Sequence, residues 1–441
     1  MGGSAEYQIK VINGKYLVHA PSNGAMSLFS PAEYLVFSCL ADVSLDKIET
    51  AVDQVLERLN CQAEVKENFS NIFIKKLKQQ GWFRNGYEDE ECQPLQIVYL
   101  SVTTDCNLSC IYCYIGNKRR LHKQYMAVRE AEIILKKIKE FNPNTRITVT
   151  GGEPFLNPQI FSILDAIEAN GFSFVMGTNA TLINDDMAQK LRQYKNLLFI
   201  QASLDGFTPE VHELTRGNSY QATMQGIQKL MEYHIPLAIA PTIHEGNVHE
   251  ILEIARFAYS QGATLAPNHL RKFPHAPYAE KLKLQPETLR KCILDTFGQI
   301  EHEFGNGLQK TDTAATNCEG YKDSRNRYVC GNGWYSVDIN WNGEVYPCHL
   351  LREPEMILGN IIRDSIEKIL ATSKDSPQRV RSYHIPKCKT CPFVSTCGGG
   401  CRASAWYNHG TFAAEDEFCP ILYEFETDKL FLSKGFPVAD R

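Results

Sequence analysis

No apolar run in the chain reaches the ~18 residues that a membrane helix needs, so no membrane association is expected. Positive charge is also scarce. There are 46 Lys and Arg against 51 Asp and Glu, a net charge of −5, so no broad basic field invites a nucleic acid. One short basic run, Lys118-Arg119-Arg120, reads as a solvated face. The start, Met1-Gly2-Gly3-Ser4-Ala5-Glu6, lacks the charged-then-apolar pattern of an export signal, and a cytoplasmic location is expected. No carboxylate or histidine stands apart as a catalytic acid or base. His349, beside Cys348, reads as a structural histidine. Cysteine, in contrast, is abundant. Fifteen cysteines, an odd number in a chain without an export signal, favour metal ligation over disulfides.

Three of them form Cys106-Asn107-Leu108-Ser109-Cys110-Ile111-Tyr112-Cys113, directly after the apolar run Ile97–Val102. Such a run reads as a buried strand. Loops leaving the C-terminal ends of strands are where α/β folds place chemistry. Three thiolates on one loop can hold three irons of a 4Fe–4S cluster and leave the fourth iron open to a small molecule.

The segment before this loop, residues 6–87, reads as a small α+β unit. Tyr7–Val11, Tyr16–Ala20 and Met26–Phe29 are short strands with turn residues between them. Ser30-Pro31-Ala32-Glu33 opens a helix with a capping box. Helices follow at about Leu45–Leu59 and Glu67–Gln80, and Trp82-Phe83 is expected as a further strand. Residues 88–96 are acidic and polar and read as a linker. From 97 to 300 strand and helix alternate about six times, which implies a parallel sheet with covering helices, fewer than a full eightfold barrel. Polar motifs recur after successive strands: Thr150-Gly151-Gly152-Glu153-Pro154, Gly177-Thr178-Asn179, and Ser203-Leu204-Asp205-Gly206 with His212 and Arg216 behind. A shared pocket at one end of the sheet requires this arrangement.

A three-cysteine loop at C-x3-C-x2-C followed by GGEP and SLDG resembles the radical S-adenosylmethionine (SAM) superfamily over residues 97–300. The resemblance implies an α/β fold, a partial (β/α)6 TIM-like barrel. It implies that Cys106, Cys110 and Cys113 ligate a cluster whose open iron chelates SAM. Tyr112 is then expected near the adenine. Gly151, Gly152, Glu153 and Pro154 are expected at the methionine amine, and Asn179, Ser203, Asp205 and Arg216 at the ribose and carboxylate, with Asn247 a further contact. Reduction of the sulfonium yields a 5′-deoxyadenosyl radical.

The C-terminal third carries C-x12-G-x4-C from Cys330 to Cys348, then Cys388-x2-Cys391-x5-Cys397-x3-Cys401, and finally Cys419. This resembles the SPASM pattern, placed here at 318–430 after a bridging region at 301–317. By that likeness Cys318, Cys330, Cys348 and Cys401 hold one auxiliary 4Fe–4S cluster, and Cys388, Cys391, Cys397 and Cys419 a second, three clusters in all. Cys39, Cys61, Cys92 and Cys292 fall outside every pattern and read as packing residues. Residues 6–87 resemble a winged helix, and in particular the PqqD-like recognition element that binds leader peptides by strand addition.

Together these units resemble maturases of ribosomally made peptides. The implied partners are a leader-bearing precursor peptide and an electron donor such as flavodoxin or ferredoxin. The implied reaction is an intramolecular crosslink, thioether first and carbon–carbon second. The alternatives are a side-chain oxidase of the anaerobic sulfatase maturase type and a non-catalytic iron–sulfur electron-transfer or binding protein.

Overall fold

The computed structural model describes residues 7–12, 14–20, 25–40, 43, 45–80, 82–83, 94–116, 124–274, 276–304 and 330–432. Lys118-Arg119-Arg120, Cys92, Cys318, most of the 88–96 linker and nearly all of the 301–317 bridge lie outside them.

At the front, strands β1 (Gln8–Ile12), β2 (Lys15–His19) and β3 (Met26–Phe29) form an antiparallel sheet in that order. Helices α1 (Pro31–Ser38), α2 (Ile48–Arg58) and α3 (Ala63–Gln79) follow. Helix α1 starts as its sequence dictates. Ser30 Oγ accepts from Glu33 N at 3.2 Å, Glu33 returns a carboxylate to Ser30 N at 2.8 Å, and Pro31 takes the first helical position. The helices bury Val18, Phe29, Phe37, Val52, Phe73 and Leu77 against one face of the sheet. Trp82-Phe83 is not a strand but a turn. The Trp82 indole is buried against the helices and donates to Ser27 Oγ at 2.7 Å, which fixes the chain there instead of extending the sheet.

The central sheet begins with β4 (Ile97–Ser101), β5 (Arg146–Thr150), β6 (Phe174–Thr178) and β7 (Leu197–Ala202). Then come β8 (Leu237–Ile239), the short β9 (Thr242–Ile243), β10 (Thr264–Leu265) and β11 (Asn268–His269). Strands β4, β5, β6, β7, β8 and β10 pair in parallel, as βα alternation requires. Their covering helices include α4 (Val128–Phe141), α5 (Ile160–Ala169), α6 (Asp185–Leu191), α7 (Pro209–Arg216), α8 (Tyr220–Glu232) and α9 (Ile251–Ser260). The chain over 237–243 forms two short strands rather than one. Pro241 has no N–H to give a ladder, and beyond it β9 pairs with β11 in a separate two-stranded sheet.

The central sheet does not stop at the barrel. β12 (Ser336–Ile339) lies parallel against β4, and β13 (Glu344–Tyr346) and β14 (Gly359–Asn360) extend it antiparallel. The C-terminal cysteine region is therefore rooted in the same nine-stranded sheet and shares its core.

Candidate functional site

The loop after β4 is held by its neighbours. Thr103 Oγ1 donates to Gln124 O at 2.8 Å, and the Asp105 carboxylate accepts from Cys106 N at 3.0 Å and Tyr125 OH at 2.9 Å. The turn after β5 lies directly on this segment. Gly152 N donates to Thr103 O at 2.9 Å and Glu153 N to Asp105 O at 2.7 Å. A Cβ at Gly151 or Gly152 would overlap the Thr103 and Asp105 carbonyls, so both glycines serve this backbone contact.

Glu153 is fully buried. Its carboxylate accepts from Thr178 Oγ1 at 2.8 Å, Asn179 N at 2.8 Å and Phe155 N at 3.3 Å, tying the ends of β5 and β6 together. Burial pushes its pKa up to about 7 despite these donors. Pro154 is buried and opens a single 3-10 turn. Asn179 reaches back to the cysteine loop, donating to Asn107 Oδ1 at 2.9 Å and approaching Cys106 Sγ at 3.9 Å.

The polar centre lies after β7. The fully buried Asp205 carboxylate accepts from Tyr112 OH at 2.5 Å, Thr215 Oγ1 at 2.9 Å and Thr242 N at 2.9 Å. It also takes Arg216 through Nε at 2.8 Å and Nη2 at 3.2 Å. Burial alone raises the Asp205 pKa, but Arg216 outweighs it and holds the carboxyl below its usual range. Arg216 comes from the last turn of α7, its guanidinium 5.5 Å from the Tyr112 ring centre. One edge of its fork, Nε and Nη2, is engaged by Asp205, and the same net fixes Tyr112 inside the cysteine loop. Ile111 N donates to Thr215 O at 2.9 Å, a second tie between the loop and α7. Asn247 is buried too, donating to Asp205 O at 2.7 Å and Thr242 O at 2.9 Å. Ser203 follows β7 with its N–H on Thr178 O at 3.0 Å. Every motif singled out in the barrel sequence thus gathers at the C-terminal ends of β4, β5, β6, β7 and β9. Sequence reasoning missed Thr215 and Asp105, which support the site without belonging to a motif.

A second missed cluster joins the cysteine loop to the C-terminal region. Asp338 on β12 pairs with Arg352 through Nε at 2.9 Å and accepts from Ser101 Oγ of β4 at 3.0 Å. Arg352 lies 5.7 Å from the Tyr114 ring centre. The His349 ring sits between Tyr99 at 4.7 Å and Tyr114 at 5.6 Å. Tyr114 feels the charge of both Cys113 and Cys348, and burial first of all pushes its pKa up to about 12. It therefore stands between the barrel loop and the C-terminal cysteines.

No disulfide joins the described cysteines. Among the described residues no three His, Cys, Asp or Glu side chains surround a position for a single metal ion. The thiols nevertheless fall into groups by mutual charge. Burial, and then Cys401, pushes Cys330 up to about 11, and burial, Cys401 and Cys330 push Cys348 well above its usual range. Burial, then Cys391, Cys397 and Cys419, pushes Cys388 up to about 12. Cys388, Cys391, Cys397 and Cys419 also line one cavity of about 390 Å3. Buried thiols that oppose one another's ionisation suit a cationic cluster, which binds thiolates outright. The described cysteines of this region fit iron–sulfur ligation. Cys39, expected as a packing residue, is exposed at the end of α1, Cys61 is half-buried, and Cys292 is buried.

Comparison with known proteins finds similar sequences and folds. A model of the radical SAM superfamily matches residues 100–258, and one of the SPASM iron–sulfur cluster-binding domain matches 330–392. The antilisterial bacteriocin subtilosin biosynthesis protein AlbA of Bacillus subtilis (strain 168) is 30% identical over 316 residues, covering 69% of this chain and 67% of that protein. Native anSMEcpe with bound AdoMet has a TM-score of 0.62 at 18% identity, over 77% of this chain and 98% of that one. Streptococcus suis SuiB bound to precursor peptide SuiA has a TM-score of 0.59 at 17% identity, over 95% and 99%.

Proposed function

The chain belongs to the radical SAM superfamily and is a radical SAM enzyme with an iron–sulfur SPASM domain, and on that premise we propose that it matures a ribosomally made precursor peptide by installing an intramolecular crosslink. One observation carries the substrate class. The fold shared with SuiB extends over 95% of the chain and that with anSMEcpe over 77%, so the whole-chain likeness is to a fold seen with a precursor peptide. A relative named for bacteriocin biosynthesis supports the same class. Side-chain oxidation of the sulfatase-maturase type is the second reading, and the AdoMet-bound fold of anSMEcpe, shared over 77% of this chain, is compatible with it.

In this proposal Cys106, Cys110 and Cys113 hold the SAM-binding cluster. Cys330, Cys348 and Cys401, with Cys318, hold the first auxiliary cluster, and Cys388, Cys391, Cys397 and Cys419 the second. When bound, SAM and its cluster supply a hydrogen-abstracting 5′-deoxyadenosyl radical, and the auxiliary clusters an electron sink. The chain's own part is positioning. The Asp205 net fixes Tyr112 and the loop, Glu153 fixes the ends of β5 and β6, and the backbone of residues 151–154 would hold SAM's amine. An electron donor of the flavodoxin or ferredoxin kind supplies the reducing electron.

In this proposal residues 6–87 bind the leader. A leader strand adding to the free edge of β3 beside α3 takes the Leu28 carbonyl that Lys76 Nζ now occupies at 3.0 Å. The product bond is a thioether first, carbon–carbon second. The test is anaerobic turnover of the full chain with SAM, reductant and either the full precursor or its leaderless core. Crosslinking of the full precursor with at least ~10-fold slower modification of the core supports leader binding, and equal rates refute it.

A further inference from the structure

The front sheet buries residues on both of its faces, although Gln8, Ile9, Lys10 and Val11 of β1 stay exposed. Side chains alternate across a strand, so Val18 of β2 faces the helices of its own unit while Leu17 faces away. On that other side Ile12, Leu17 and Leu28 form a separate apolar cluster with Phe393, and Met26, Cys391 and Tyr423 pack against it. Lys10 of β1 lies 4.6 Å from the Tyr423 ring centre and 3.4 Å from its hydroxyl. The cavity that holds Cys388, Cys391, Cys397 and Cys419 is also lined by Gln8, Ile9, Lys10, Leu17 and His19. The four cysteines all come from the C-terminal region, and part of the lining around them comes from β1 and β2.

We propose that the front three-stranded sheet is a structural wall of the four-cysteine site, sealing its cluster from solvent and adding the Lys10 charge to its surroundings. This rests on the reading that these cysteines hold a 4Fe–4S cluster. Such a cluster with four thiolates is anionic, and its stability and potential follow local charge and solvent access. Of the lining cations, Lys387 comes from the C-terminal region itself and Lys10 from the front unit. A segment that chooses a substrate is thereby coupled to a cluster that accepts electrons. Any event that lifts the front sheet opens the cluster to water.

The test is the rate at which a water-soluble chelator strips iron from the anaerobically reconstituted full chain, with electron paramagnetic resonance identifying the cluster lost. Leu17→Asp places a charge on the docking face and spares the face that packs on α1, α2 and α3. Stripping tracks the open population, so loss of this cluster is expected to be at least ~10-fold faster, with Leu17→Met matching wild type. Tyr423→Ala removes the Lys10 seat from the other partner, is expected to speed the same loss, and carries the test should Leu17→Asp fail to fold. Removing the positive charge in Lys10→Met is expected to make the cluster's potential more negative. With the cluster present, wild-type stripping rates in Leu17→Asp and Tyr423→Ala overturn the wall. Unchanged iron content in Cys391→Ser overturns the cluster reading itself, and the wall with it.

Discussion

Asp205 receives more of the site than any other residue described. Five donors converge on its carboxylate, including a guanidinium that is 8% exposed. Asp205→Ala leaves Arg216 buried without its partner, and such a loss is expected to cost about 3–5 kcal/mol in urea unfolding. Weaker SAM binding should accompany it, because Tyr112 loses its anchor. The motif SLDG was legible in the sequence as a pocket residue set. That Asp205 organises protein groups was not, since its partners come from the cysteine loop, α7 and β9, which are far apart in the chain. Glu153 gives a pH signature. Its pKa is near 7 when folded and near 4.5 when free, so the unfolded chain loses the proton first. Stability therefore falls as pH rises from about 4.5 to about 7 and is level beyond. Glu153→Gln is expected to remove that slope in urea midpoints measured across this window, and an unchanged slope contradicts the assignment.

Among the elements, the turn after β5 and the cysteine loop act as one piece. Gly152→Ala drives a Cβ into the Asp105 carbonyl, one residue before Cys106. The expected result is a folded protein with about four fewer irons after reconstitution, the loss of one 4Fe–4S cluster. Full iron content means that the loop tolerates the shift. The capping box of α1 and the βα alternation were legible because periodicity and caps are local signals. The pairing of β12 with β4 was not, because it joins residues more than two hundred positions apart and has no local mark. Helix α7 was missed as well. It is one short helix opening at Pro209, and its apolar face is too brief to show a period.

At the scale of the molecule, buried histidines set an acid limit. Burial holds His212, His244 and His269 down to about 4 and His349 to about 3. Each stays neutral in the folded chain while the unfolded chain takes up a proton below about 6.5, so stability falls as pH drops from about 6.5 toward 4. Urea midpoints of the whole chain should fall steeply over this range, against the opposite and smaller trend from Glu153. The barrel and the C-terminal region share one nine-stranded sheet, and in the proposed function the front unit chooses the peptide and the C-terminal clusters accept electrons. The most direct test of that function is the mass and thiol count of a precursor peptide after anaerobic turnover with SAM. The expected result is 5′-deoxyadenosine together with a peptide lighter by a pair of hydrogens per link and, for a thioether, short of one alkylatable cysteine. A peptide of unchanged mass, with 5′-deoxyadenosine formed at the same rate whether peptide is present or absent, would contradict it.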